Sequence, residues 1–249
     1  MNATGTLGDR QSAVLRAVVS DYIRTGEPVG SATVAGRYRL GVSSATIRND
    51  MASLEDMGYL QQPHTSSGRI PTDPGYRFYV DALPRWPSLP RRERRTIDRF
   101  FGEAPGDPDE VVRGTALLLS RITRYGAVAQ PPRSTHVVVG GAANIASEEI
   151  FERRETVRRL LEALEDEQEV LDLLQGLVDE SEVTVRIGTE NPLSAMQEAS
   201  IVVARYGSRG RILGVIAVLG PTRMHYRESI STVRSVARHL SRAIEALAG

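Results

Sequence analysis

The chain of 249 residues contains no cysteine, no lysine and only four histidines. Without cysteine there are no disulfides, no thiolate nucleophile and no Cys-based zinc site. His64, His136, His225 and His239 show no metal-ligand spacing of the HExxH kind, and His225 and His239 stand near no nucleophile or paired carboxylate at a recognisable spacing. No phosphate-binding loop of recognised form is present. The lone Gly140-Gly141 pair reads as a tight turn, and the acidic run Glu162 to Glu169 as a solvated helix face. Arg223 reads as an ion-pair partner. Together these absences argue against an enzyme and against a resident cofactor or metal. No apolar run approaches the roughly 20 residues that span a bilayer, and Met1 to Arg10 lacks the apolar stretch of a signal peptide. The expectation is a cytoplasmic protein without a membrane partner.

What remains is the composition of a globular protein, 41% hydrophobic and 25% charged, long enough for two domains. Net charge is zero, but it is unevenly spread. Residues 1–95 carry 13 Arg against 9 acids, and residues 96–249 carry 18 Arg against 22 acids. The basic half comes first, and its cation is always Arg, which suits bidentate phosphate and guanine contacts.

From Asp9 the sequence places Leu15, Val18, Val19, Tyr22 and Ile23 at helical spacing, with Gly26 as a stop. Ser31 is the expected cap of a second helix through Arg39, ended by Gly41. A third helix starts at Ser43 or Ser44, buries Ile47, Met51 and Leu54, and ends at Gly58. Two short helices joined through a glycine turn match a helix-turn-helix. Tyr59 to Gln62 and Arg69-Ile70 then read as two short strands around a polar tip, Pro63 to Gly68, with Pro71 halting the second. That is a wing. Thr72 to Gly75 reads as a turn, and Tyr76, Phe78, Tyr79 and Val80 as an aromatic anchor opening the next helix.

Residues 84–95, rich in Pro and Arg, read as a linker between a domain at 1–83 and a second at 96–249. In the second, Val112, Ala116, Leu119 and Ser120 mark one side of a helix. Gln130 to Ser134 is a Pro-containing break and His136 to Val139 a β-branched run. Residues 148–180 suggest two helices, Val183 to Ile187 a strand, and Asn191-Pro192 a capped helix start. Ser200 to Tyr206 and Arg211 to Leu219 form an expected hairpin, followed by a helix over 226–248. The fold class is α+β, multidomain.

The third helix carries the functional reading. Burying Ile47, Met51 and Leu54 leaves Ser43, Ser44, Thr46, Arg48 and Asn49 toward the outside of its N-terminal half. In a helix-turn-helix that end enters the major groove, where Arg pairs with guanine O6/N7 and Asn with adenine N6/N7, while hydroxyls hold phosphates. Arg48 and Asn49 are the candidate base readers, against the alternative of a solvated helix face. The wing offers His64, Ser66 and Arg69, with no acid among its tip residues, for a phosphate or the minor groove. A plain surface hairpin would have a similar composition.

The stretches VGSATVAGRYRLGVSSATIRNDMASLEDMGYL and HTSSGRIPTDPGYRFYVD resemble the N-terminal signature of the HrcA family of heat-inducible repressors. VVVGGAANI, VRIGTENPL and LGVIAVLGPTRMHY resemble its C-terminal GAF-like domain, in the same order. The resemblance implies a winged helix-turn-helix followed by a GAF-like α+β domain. It further implies repression of chaperone operons through inverted-repeat operator DNA, a homodimer, and modulation by the GroE chaperonin. It also implies a shortened body: between positions like Tyr125 and His136, members carry early GAF-like strands and an inserted dimerisation domain, where about ten residues stand here. A GAF-like body leaves a second reading open, a winged-helix regulator that responds to a small molecule.

Overall fold

Helix α1 (Asp9–Thr25) forms where Val14, Leu15, Val18, Val19 and Ile23 recur at helical spacing, and all five are buried. It ends at Gly26, whose φ of 72° is cheap for glycine and lets its N–H reach the Tyr22 carbonyl. The computed structural model describes residues 7–65, 67–84, 89–104, 106–147, 151, 153–177, 182–208 and 210–247. The chain divides into two units, Met1–Leu83 and Pro84–Gly249.

Helix α2 (Ser31–Arg37) departs from expectation at both ends. Its N-cap residue is Gly30, not Ser31, and no side chain caps it. Ser31 is buried and faces Ser44 instead, with their hydroxyl oxygens 3.0 Å apart. The helix stops at Arg37 because Tyr38 is already extended, so Gly41, at φ 72°, lies within the turn rather than at the helix end. Helix α3 (Ser44–Asp56) begins as the sequence indicates, with Ser43 Oγ accepting from the Thr46 N–H at 3.1 Å.

Strands β1 (Leu60–Gln61) and β2 (Ile70–Pro71) are antiparallel, Leu60 opposite Pro71 and Gln61 opposite Ile70. Pro71 therefore occupies the last ladder position instead of following it. Val29 and Arg69 add one more rung, exchanging two backbone hydrogen bonds of 2.9 Å. Helix α4 (Asp73–Asp81) starts earlier than expected. Thr72 is its N-cap, with Oγ1 accepting from the Gly75 N–H at 3.4 Å, so the anticipated turn at 72–75 is the helix entrance.

In the second unit, helices α5 (Arg91–Gly102) and α6 (Pro108–Thr123) come first. Residues 91–95, expected in the linker, are the first turns of α5, because Ile97 and its neighbours give this segment a buried face. A five-stranded antiparallel sheet follows, built from β3 (Gly126–Ala129), β4 (Val138–Gly140), β5 (Thr184–Ile187), β6 (Ala199–Ser208) and β7 (Arg211–Pro221). Its order is β4-β3-β7-β6-β5. Strand β3 is absent from the sequence reading. The short connection between β3 and β4 leaves no gap in the sheet, since Ala129 pairs Val138 and Ile216 on its two sides.

Alternation along the long hairpin serves two faces. Ile201, Val203, Val215, Ala217 and Leu219 join one buried cluster with α7 (Ala142–Ile145), α8 (Arg154–Glu165) and α9 (Glu167–Leu177). The intervening residues face α6 and α10 (Tyr226–Leu247), where Ser200 Oγ lies 2.8 Å from Tyr226 Oη. Gly140 and Gly141 have a packing reason. A Cβ at the first would stand 2.7 Å from the Ala116 carbonyl oxygen, and at the second 1.9 Å from Ser120 Oγ. The expected helix start at Asn191-Pro192 is only a pair of 3-10 turns. The buried Asn191 amide nitrogen lies at 2.9, 3.1 and 3.0 Å from the Gly188, Met196 and Ala199 carbonyls, pinning the loop onto β6 rather than capping a helix. Among the described residues no helix is long and apolar enough to cross a membrane.

Candidate nucleic-acid interface

Four side-chain pairs fix α1, α2 and α3 to one another. Arg10 of α1 donates twice to Asp50 of α3, at 2.8 and 3.0 Å, and Gln11 donates to Ser53 at 3.1 Å. Arg37 of α2 and Arg24 of α1 both pair with Asp21 of α1, the latter at 2.7 Å. Ser31 and Ser44 join α2 to α3. Both carboxylates are buried while their arginines reach solvent, so each acid is neutralised at the edge of the core. The bond to Asp50 holds the Arg10 guanidinium above its ordinary pKa.

These links set the rotation of α3. Ile47, Asp50, Met51 and Leu54 are its buried residues. At 100° per residue they occupy an arc of about 100°, and Arg48 and Asn49 lie well outside it. Both are exposed, and among the described residues neither side chain has a partner. The hydroxyls around them are in use. Ser43 caps the helix and its Oγ is 3.0 Å from Thr46 Oγ1, while Ser44 faces Ser31. Each hydroxyl still has lone-pair capacity for a phosphate or water.

The wing is held from within. The Gln62 side-chain amide donates to the Thr65 and Ser67 carbonyls at 3.2 and 2.9 Å, and Ser67 Oγ donates to the His64 carbonyl at 2.7 Å while accepting from the His64 N–H at 3.1 Å. His64 is exposed at this tip, and Ser66 lies outside the described residues. Gly68 is needed because a Cβ there would stand 2.5 Å from the Val29 carbonyl carbon.

Arg69 does not stand free on the wing as expected. Its Nε donates to Glu55 Oε2 at 2.9 Å and its side chain is only 16% exposed. Through Nε the guanidinium ties the wing to a carboxylate on α3. Sequence reasoning missed this pair, the Arg10–Asp50 pair and the Val29 rung. The charge signs of Glu55 and Arg69 were the only hint, and the partners are separated by a strand and a loop.

The arrangement presents an unpartnered Arg and Asn on a helix whose cap and inner face are fixed, beside a braced hairpin. A family model described as the HrcA protein C terminal domain matches residues 133–230. The heat-inducible transcription repressor HrcA of Thermobifida fusca is 34% identical, with 96% of this chain and 97% of that protein covered. The chain belongs to the HrcA family. A second member, from Pelotomaculum thermopropionicum, is 33% identical over 96% of this chain and 97% of its own length. The alignment with the Thermobifida HrcA runs to 334 positions, more than the 249 residues here, so that HrcA carries positions with no counterpart in this chain. A crystal structure described as that of a hypothetical protein at 2.2 Å resolution has the same fold. Its TM-score is 0.82 at 22% identity, with 97% of this chain and 100% of that one covered. As an HrcA-family chain, the molecule is thus a winged helix-turn-helix followed by a GAF-like α+β domain.

Proposed function

We propose that this chain represses heat-shock operons by seating the N-terminal half of α3 in the major groove of an inverted-repeat operator. The observation that carries the reading is the outward, unpartnered pair Arg48 and Asn49 on a helix capped by Ser43 and locked by Asp50. Arg48 reads guanine through O6 and N7, and Asn49 reads adenine through N6 and N7. Ser43, Ser44 and Thr46 contact phosphates beside the helix start, His64 contacts the backbone from the wing tip, and Ser66 is assigned there on sequence alone. Arg69 positions the wing.

An inverted repeat calls for a two-fold pair of readers, so the working form is a homodimer. The GroE chaperonin modulates the amount of active repressor, the setting is the cytoplasm, and no catalytic step is involved. A reporter driven by a chaperone promoter tests the whole reading. It should be silent when the chain is expressed at the growth temperature and active after a heat shift. Equal output with the wild-type chain and with an α3 double alanine variant, both folded, would contradict it.

A further inference from the structure

Helix α5 carries Arg91, Arg92, Arg94, Arg95 and Arg99, all exposed, and among the described residues none has a carboxylate partner. Elsewhere in the chain exposed arginines are commonly neutralised, as Arg158 is by Glu155 and Glu162. At 100° per residue Arg91, Arg92, Arg95 and Arg99 fall within an arc of about 100°, opposite the side of Ile97 and Phe100. Ile97 is fully buried, and Phe100 packs against Gly114 of α6, where a Cβ would stand 2.8 Å from its ring. Asp98 borders the basic face, but its Oδ1 is engaged by His239 Nε2 at 3.2 Å.

This distribution works against the helix itself. Like charges at i,i+3 and i,i+4 repel, as in Arg91–Arg95, Arg92–Arg95 and Arg95–Arg99. Three of the five lie in the first turn, where the positive end of the helix dipole disfavours cations. A polyanion lying along the face would relieve both costs.

We infer that α5 is a second DNA-contacting element, which grips the phosphate backbone flanking the operator without reading sequence. The inference rests on the repressor reading above. From Arg91 to Arg99 the face runs about 12 Å, a length over which B-DNA carries about seven phosphates. Nine residues separate α4 from α5, a length of chain that reaches at most about 30 Å. The arginine fork suits phosphate oxygens, and among the described residues none of the five cations has a carboxylate to give up first.

The test compares the full-length wild type with Arg92→Ala, Arg95→Ala, Arg99→Ala combined, on an operator duplex with long flanks and on one trimmed to the repeat. Among the described residues none of the three side chains has a partner to lose, and thermal unfolding checks that both proteins are equally folded. The inference predicts a salt dependence, log K against log of salt concentration, shallower by about 2 to 3 for the variant on the long duplex. It also predicts an unchanged ratio of operator to scrambled-sequence affinity, and little difference on the trimmed duplex. An unchanged salt slope and flank dependence in a folded variant would overturn it. If the wild type itself fails to select the operator, the repressor reading fails instead.

Discussion

Arg69 of the wing donates to Glu55 of α3 at 2.9 Å, which ties the hairpin to the helix. With side chains 16% and 33% exposed, the pair is worth on the order of 1 kcal/mol after solvent screening. Arg69→Ala and Glu55→Ala should therefore lower the thermal stability of the folded chain alike and weaken binding to every duplex alike. Equilibrium binding to operator and scrambled DNA checks this. A phosphate contact by Arg69 would instead leave Glu55→Ala neutral or improved, because it would free the cation.

Among the described residues neither Arg48 nor Asn49 has a side-chain partner to lose. Arg48→Ala and Asn49→Ala should each leave unfolding unchanged yet cost about 1–3 kcal/mol of operator affinity and relax preference at one base pair per half-site. Binding to a panel of single-base operator variants measures both effects. A uniform loss across the panel would make these residues phosphate contacts rather than readers.

Asp50 sits on the buried side of α3, bonded to Arg10. The single variants Arg10→Ala and Asp50→Ala should each lower the urea midpoint, and the double variant should lose less than the two losses combined, because the second removal has no partner left to strand. Strict additivity in urea titrations would show that the pair contributes little.

Two glycines carry the geometry of the wing. A Cβ at Gly68 would stand 2.5 Å from the Val29 carbonyl oxygen, and one at Gly75 would stand 2.2 Å from the Tyr59 carbonyl oxygen. Both obstacles are backbone. Gly68→Ala and Gly75→Ala should each destabilise the fold by about 1–3 kcal/mol, read as a drop in melting temperature. Wild-type stability in either would mean that the wing is looser than the hydrogen bonds imply.

Sequence pattern located the elements that bury a periodic face. Ile47, Met51 and Leu54 announce α3, and the long alternating run from Ser200 to Leu219 announces the β6–β7 hairpin. It missed elements whose signal is a single residue or a remote partner. Val29 joins the wing as one rung, with no strand around it. Strand β3 is four residues of small and β-branched side chains, buried throughout, with no alternation to read. Helix α5 hides behind its arginines, since only Ile97 is fully buried and the flanking prolines read as a linker. The candidate site divides in the same way. Outward positions on α3 follow from helix phase, so Arg48 and Asn49 were accessible to sequence reasoning, whereas the inward pairing of Arg69 depends on a tertiary contact 14 residues back along the chain.

The most direct test of the central claim is fluorescence anisotropy of the purified chain on a labelled inverted-repeat chaperone operator and on a scrambled duplex of equal length. The account predicts selective binding to the operator, with dimer-like concentration dependence, and loss of that selectivity in the Arg48→Ala, Asn49→Ala double variant. Equal affinity of the folded wild type for both duplexes, unchanged in the double variant, would contradict it.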